Sequence, residues 1–357
     1  MSCGQGPGSS PAGEGYERAR GVLLGLATGD ALGTTLEFQR LEAPRFPDLA
    51  SGPHRDIIGG GPFDLFPGQV TDDTQMACAL WTSLIEKEGF VAADVAARYV
   101  RWREVAFDIG NQTASALAEV ARGAEPARGG FVVWDAGGRH AAGNGALMRT
   151  APIAIAYAGD PSGRRRASMA DAAITHFDPR CQLACAAFNS AIAAALNGKD
   201  ALAMIGVAEH ELVVAAADLA RGWPDFEPEI ARAGFALGED LAAARRSDPD
   251  LYSADLHIHR HQGFVRIAFR LAFWELLHAP TFEAAVVDVV NRGGDADTNG
   301  AITGALCGAL CGASAIPRPW IDAVLSALPE APSDPLTRDY HPRLFTTLTC
   351  AGFPALP

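Results

Sequence analysis

An all-α fold is what the sequence predicts, and three observations carry that prediction. Apolar residues recur at three- and four-residue spacing in 72–88, 91–104, 181–196, 262–278 and 282–290, the spacing of one face of a helix. No comparable set of alternating apolar and polar residues accompanies them, so no sheet is expected. The run from Gly300 to Ala313 is made of small and apolar residues, with Gly300, Gly304 and Gly308 four apart. Such a smooth seam lets a neighbouring helix come close at a propensity cost of about 1 kcal/mol per glycine, so the position of this helix matters.

Taken in chain order, MSCGQGPGSSPAGEG (1–15) is a Gly/Ser/Pro-rich tail expected to be disordered, and helical signals begin near Tyr16. Connectors rich in glycine and proline at 44–68, 123–145 and 159–163 are long for a simple bundle, which makes them candidate walls of a binding site. Residues 197–262 read as peripheral charged helices and a surface loop, broken by RRSDPD near Asp248. No linker sets off a second domain, so 16–357 is expected to form one domain.

Composition narrows the partners. The 42 acidic and 29 basic residues give a net charge of −13, which disfavours a nucleic-acid backbone as the main partner. The start has no basic segment followed by an apolar run, and the longest uncharged apolar run, 300–317, is too short and glycine-rich for a membrane span. Seven cysteines is an odd number, and the pairs Cys181/Cys185 and Cys307/Cys311 lie inside helical patterns instead of a secreted framework. A soluble protein of the reducing cytoplasm is the expectation.

Acidic and hydroxyl residues gather at four helix edges: Asp30 with Glu37, Thr71-Asp72-Asp73-Thr74, Asp108 in FDIGNQT, and Asp295, Asp297 and Thr298 in GGDADTN. Helix capping explains any one of them, because Asp and Thr accept hydrogen bonds from the free amides of a first turn. Capping needs one side chain per helix, whereas Thr71, Asp72 and Asp73, and again Asp295, Asp297 and Thr298, supply three hard oxygens each. Crowded carboxylates repel unless protons or cations neutralise them, and such oxygens suit Mg²⁺ or Mn²⁺. Both clusters precede very apolar helices whose starts converge if both pack centrally.

GNGALMRT, Gly143 to Thr150, has glycines that allow the backbone amides to turn toward a ligand, ahead of an apolar helix whose start favours anions; a plain helix-entry turn is the competing reading. His176 stands between the end of one helix and the start of another near Pro179, where a cap or surface role competes with a ligand role. The histidines of HIHRH, His257, His259 and His261, lack a partner at zinc spacing and read as a charged surface loop, while the cysteine pairs read as small core residues.

Together these segments resemble the ADP-ribosylglycohydrolase family, which includes dinitrogenase reductase-activating glycohydrolases and ADP-ribosyl-arginine hydrolases. The resemblance rests on GVLLGLATGDALGTTLEF, GQVTDDTQMACAL, FDIGNQTASAL, GNGALMRTAPIA, ITHFDPRCQLACAAFNSAIAAAL and NRGGDADTNGAITGALCGAL, in that order, from Gly21 to Pro317. It implies a compact orthogonal multi-helix bundle with a binuclear Mg²⁺ or Mn²⁺ site in an ADP-ribose cleft. It implies Thr71, Asp72, Asp73, Asp295, Asp297 and Thr298 as metal ligands. Gly143, Asn144, Gly145, Ala146, Leu147, Met148 and His176 are implied as contacts to pyrophosphate and ribose. Glu37, Asp72 and Asp108 become the candidate bases for hydrolysing the bond between ADP-ribose and a protein arginine. Oxygen-linked ADP-ribose (ADP-ribosyl-serine or O-acetyl-ADP-ribose) and non-catalytic ADP-ribose binding are the alternatives. The family often has Thr where this chain has Ala296. Phe264 and Trp274 are weighed as adenine contacts against plain core packing.

Overall fold

In the computed structural model, which describes residues 1, 11–41, 45–47, 52–328 and 334–347, the chain forms fifteen α-helices and no strand among those residues. The first seven are α1 (Pro11–Gly33), α2 (Asp72–Glu86), α3 (Ala92–Arg103), α4 (Asn111–Ala121), α5 (Pro126–Ala136), α6 (Pro152–Ala156) and α7 (Pro161–Thr175). Then follow α8 (Pro179–Leu196), α9 (Ala201–Gly222), α10 (Glu227–Ala244), α11 (Val265–His278), α12 (Phe282–Val290), α13 (Ala296–Cys311), α14 (Arg318–Ser326) and α15 (Pro335–Asp339). The five helices expected from periodicity are present with ends shifted by a few residues. One core cluster of buried apolar side chains runs from α1 through α14. No helix of the described residues is long and apolar enough to cross a membrane.

The glycine seam sets the architecture. α1 and α13 run antiparallel, with Gly21, Gly25 and Gly29 facing Gly308, Gly304 and Gly300. A Cβ at Gly29 would fall 2.0 Å from the carbonyl oxygen of Gly300, and one at Gly300 would fall 2.4 Å from that of Gly29, so no larger residue fits without moving the helices apart. This register brings Asp30, one residue past Gly29, to the N-terminus of α13. Asp30 in turn docks α2. Its carboxylate accepts from the amides of Thr71 and Thr74 at 3.1 and 3.2 Å and from their hydroxyls at 3.0 and 2.5 Å. Three helices are thus pinned to one point.

Several sequence expectations need correction. α1 begins at Pro11, so 11–15, read as tail, are helical, while 2–10 lie outside the described residues. The connector 123–145 contains α5, and 159–163 is a tight entry to α7 in which the Asp160 side chain accepts from the Gly163 amide. Residues 197–262 keep to the expected helices and loop: α9 and α10 pack on α8 and on each other, and a loop follows. GNGALMRT leads into the expected apolar helix, α6, which is a single turn. Cys181, Cys185 and Cys307 are free and buried as core residues, as expected, whereas Cys311 is disulfide-bonded.

Candidate active site

The two acidic clusters meet. Thr71 Oγ1 lies 3.3 Å from Asp297 Oδ2, and Thr298 Oγ1 lies 3.4 Å from Asp73 Oδ2. Carboxylate oxygens of Asp30, Asp73 and Asp297 come within 4.8 Å of one another, as do those of Glu37, Asp108 and Asp297, so Asp297 belongs to two groups that could hold a metal ion. Glu37 is brought in by the turn after α1, pinned to the Gly293–Gly294 step through hydrogen bonds from Phe38 N to Gly294 O and from Gly294 N to Gln39 O.

Capping does not account for these residues. Thr71 and Asp295 do occupy the N-cap positions of α2 and α13, yet neither side chain caps its helix. Asp108 is not a cap either, since Gly110 holds that position on α4. Thr71 Oγ1 faces three carboxylates, Asp30 and Asp73 at 3.0 Å and Asp297 at 3.3 Å. A hydroxyl carries one proton, so at most one of those contacts is its hydrogen bond, and the others need a carboxyl proton or a cation. Asp73 Oδ1, Asp297 Oδ1 and Glu37 Oε2 are buried with no hydrogen-bond partner. The site therefore fits a divalent cation bound by hard oxygens.

Electrostatics agree. Burial, reinforced by Asp108, Asp295 and Asp30, raises Glu37 to about 9. Burial, then Asp30 and Asp295, raises Asp108 to about 7, and burial raises Asp30 to about 6 despite its four hydrogen bonds. Asp72, Asp73, Asp295 and Asp297 are raised by burial, with Asp72, Asp73 and Asp297 further pushed up by neighbouring carboxylates. So many carboxylates cannot share one dry site as anions without positive charge. Asp30 is the least suited ligand of the set, because both its oxygens already accept from Thr71 and Thr74; it positions the others.

The pit is the floor of a cleft of about 340 Å³. Its opposite wall is the 143–148 turn, paired to the start of α11 by an antiparallel bridge between Gly143 and Phe264 and by Asn144 N donating to Gly263 O. Asn144 Nδ2 donates to Asp295 Oδ2 at 2.7 Å and so links wall to floor. Arg149, fully buried, donates to Gly145 O and pairs with Asp171, which fixes the turn from behind. His176 ends α7, is 2% exposed, and packs its ring on Gly143 and Gly145, where a Cβ at Gly145 would fall 2.8 Å from it. Burial, then Arg149, lowers it to about 3, so the imidazole is neutral. It is a wall of the cleft and not a surface group.

Of the residues expected from sequence, Glu37, Asp72, Asp108, Gly143, Asn144, Gly145, Met148, His176, Asp295, Asp297 and Thr298 line the cleft. Thr71 and Asp73 are buried with the floor. Ala146 and Leu147 do not line it; both are core side chains with no exposure, because the chain turns inward after Gly145 before Met148 returns to the cleft. Phe264 is a half-buried N-cap under Arg180, and Trp274 is core against Phe46, so neither faces the cleft. His257, His259 and His261 join no metal-holding group among the described residues. Of the long connectors, only the end of 123–145 forms cleft wall among the described residues. Missed from sequence were Phe38, Asn111, Gln112 and Gln262, which line the cleft, and the docking role of Asp30. Asp30 left a signal, being the only charge between Gly21 and Gly33, on a helix otherwise fit for burial.

A family model described as ADP-ribosylglycohydrolase matches residues 12–344. The chain is 32% identical over 316 residues to the ADP-ribosyl-(dinitrogen reductase) glycohydrolase of Rhodospirillum rubrum, covering 86% of this chain and 90% of that one. It is 31% identical over 316 residues to the ADP-ribosylarginine hydrolase Tri1 of Pseudomonas putida (strain GB-1), covering 86% of this chain and 74% of that one. A solved structure titled ADP-ribosylglycohydrolase-related protein complex superposes with a TM-score of 0.66 at 32% identity, covering 87% of this chain and 93% of that one.

Proposed function

This chain belongs to the ADP-ribosylglycohydrolase family, and from that membership we propose that it hydrolyses the bond joining ADP-ribose to arginine side chains of modified proteins. The observation that carries the reading is the floor of the cleft, where buried carboxylate oxygens of Asp73, Asp297 and Glu37 have no partner. Thr71, Asp72, Asp73, Asp295, Asp297 and Thr298 would hold two Mg²⁺ or Mn²⁺ ions, with Glu37 close enough to join. Bound there, the ions supply positive charge that holds the ribose hydroxyls and polarises the sugar and a nearby water.

The remaining steps belong to the chain. The Gly143–Met148 turn and neutral His176 bind pyrophosphate and ribose, and the start of α4, Gly110 to Thr113, which also lines the cleft, offers further donors. A water adds across the bond between C1″ and the guanidinium nitrogen, giving ADP-ribose and the unmodified arginine. One carboxylate takes the water's proton and one returns a proton to the departing nitrogen. Asp108 lines the cleft within hydrogen-bonding reach of Asp72 and is not among the six residues assigned to the ions, which supports it as the acid/base.

The test offers arginine-linked and serine-linked ADP-ribosyl peptides side by side, with and without a chelator. Release from the arginine peptide that stops with EDTA and returns with Mg²⁺ or Mn²⁺ is expected. Turnover of only the serine peptide would move the substrate to the oxygen-linked class, and tight ADP-ribose binding with no turnover would make the protein a reader.

A further inference from the structure

Phe38 has no part in the hydrolysis as described, yet it is placed at the reacting end of the cleft. It follows Glu37 directly, lines the cleft, and is 49% exposed. Among the described lining residues it is the only Phe, Tyr or Trp. Its φ of 59° lies in the left-handed region, which bulky side chains rarely adopt. The backbone is held there by Phe38 N donating to Gly294 O at 2.6 Å and Gly294 N donating to Gln39 O at 3.0 Å. The same turn thus delivers the Glu37 carboxylate to the pit and leaves an aromatic ring half in water at its edge. Folding gains little from an exposed ring on strained backbone, which points to a role in binding.

The ligand group that reaches this spot is set by the chemistry. Oxygens of Glu37, Asp108 and Asp297 lie within 4.8 Å of one another and Phe38 follows Glu37 directly, so a ribose that reacts at these carboxylates, as proposed above, holds its C1″ substituent near the lining that includes Phe38. The adenine is separated from C1″ by a ribose and a pyrophosphate, so with the pyrophosphate on the 143–148 turn, as proposed above, it lies away from the reacting end. A guanidinium is planar, cationic and weakly hydrated, and it stacks on aromatic faces; a serine oxygen offers neither plane nor charge. We propose that Phe38 seats the guanidinium plane of the modified arginine and thereby selects arginine-linked over oxygen-linked substrates; the assignment rests on the arginine reading above.

Steady-state kinetics of Phe38→Ala, Phe38→Leu and Phe38→Trp on an arginine-ADP-ribosylated protein, with calorimetric ADP-ribose Kd in parallel, test it. KM is expected to rise about tenfold for Phe38→Ala, to stay high for Phe38→Leu and to recover for Phe38→Trp, with ADP-ribose Kd unchanged throughout. Phe38→Gly, natural at this φ, serves as a folded control whose Tm should hold. An unchanged KM, or rescue by Leu equal to that by Trp, overturns the assignment. So does an ADP-ribose Kd that weakens in step with KM, which would put the ring on the nucleotide. If the parent protein releases ADP-ribose from serine and not from arginine, the arginine reading fails and this assignment falls with it; normal arginine turnover with indifferent Phe38 variants sinks this assignment alone.

Discussion

Asp240 and Asp297 are buried almost equally, at 0% and 2% exposure, and their surroundings could hardly differ more. Asp240, on α10, is clamped by two arginines: Oδ1 accepts from Arg270 Nε and Nη2 at 2.8 and 2.6 Å and from Arg266 Nη2 at 2.9 Å, and Oδ2 accepts from Arg266 Nε at 2.7 Å. Asp297, on α13, has one oxygen without a partner and the other beside a shared threonine hydroxyl, among further carboxylates. A buried charge balanced within the chain is structural. One left unbalanced, in a site the fold takes trouble to assemble, is kept for something that arrives from outside.

The contrast predicts opposite phenotypes. Asp297→Asn should cut kcat/KM on the arginine-linked substrate by about a thousandfold or more, roughly 4 kcal/mol of barrier, while raising the Tm of chelator-treated protein, because a repelling carboxylate has gone. Loss of activity together with a lowered metal-free Tm would mean that Asp297 is structural after all. Asp240→Asn should do the reverse, costing about 3 to 5 kcal/mol of stability by leaving Arg270 buried without its counter-charge, with activity per folded molecule retained. Denaturant unfolding and active-site titration separate the two outcomes.

Between these sits the seam, which serves both stability and site. Gly300→Ala places a methyl against the Gly29 carbonyl, and the helices must shift; a loss of about 1 to 3 kcal/mol is expected. Because Asp30 and Asp297 ride on the two helices, the same variant should weaken cation affinity more than Gly238→Ala, at a position where an added Cβ meets nothing. Calorimetric titration with Mn²⁺ checks it, and equal affinities in the two variants would uncouple seam from site.

Much of this site was legible in the sequence and the rest was not for physical reasons. Thr71-Asp72-Asp73 and Asp295-x-Asp297-Thr298 exceeded what capping needs, and that excess marked two clusters that meet in the floor of the cleft. Their convergence followed from the small residues of α13, but the matching glycines of α1 emerge as a partner only when the register is seen. Asp30 reads locally as a helix-edge acid; its use depends on Thr71 and Thr74, more than forty positions away. Ala146 and Leu147 fell inside a motif read as continuous lining, whereas the turn sends these two adjacent residues into the core before Met148 returns to the cleft. Phe38 carried no pattern, since a single exposed aromatic is ordinary until its φ and its neighbours are known.

The smallest expected effect is on pH dependence, and it separates the two regions without touching catalysis. In the cation-free protein Asp108 is raised from 3.8 to about 7 and Glu37 from 4.5 to about 9, each chiefly by burial. The folded state then holds protons that the unfolded chain releases, so this stability is full below about pH 4 and is lost as pH climbs through 7 and on toward 9. A cation competes with the same protons, and its stabilisation should grow over that range. Tm at pH 5, 7 and 9, with EDTA and with Mg²⁺, should therefore diverge upward. Asp108→Asn should flatten the cation-free slope below pH 8, while Asp240→Asn lowers Tm and leaves the slope as it was. A cation-free Tm that rises between pH 5 and 9 would show that the pit is neutralised from within, and the distinction between the two aspartates would collapse.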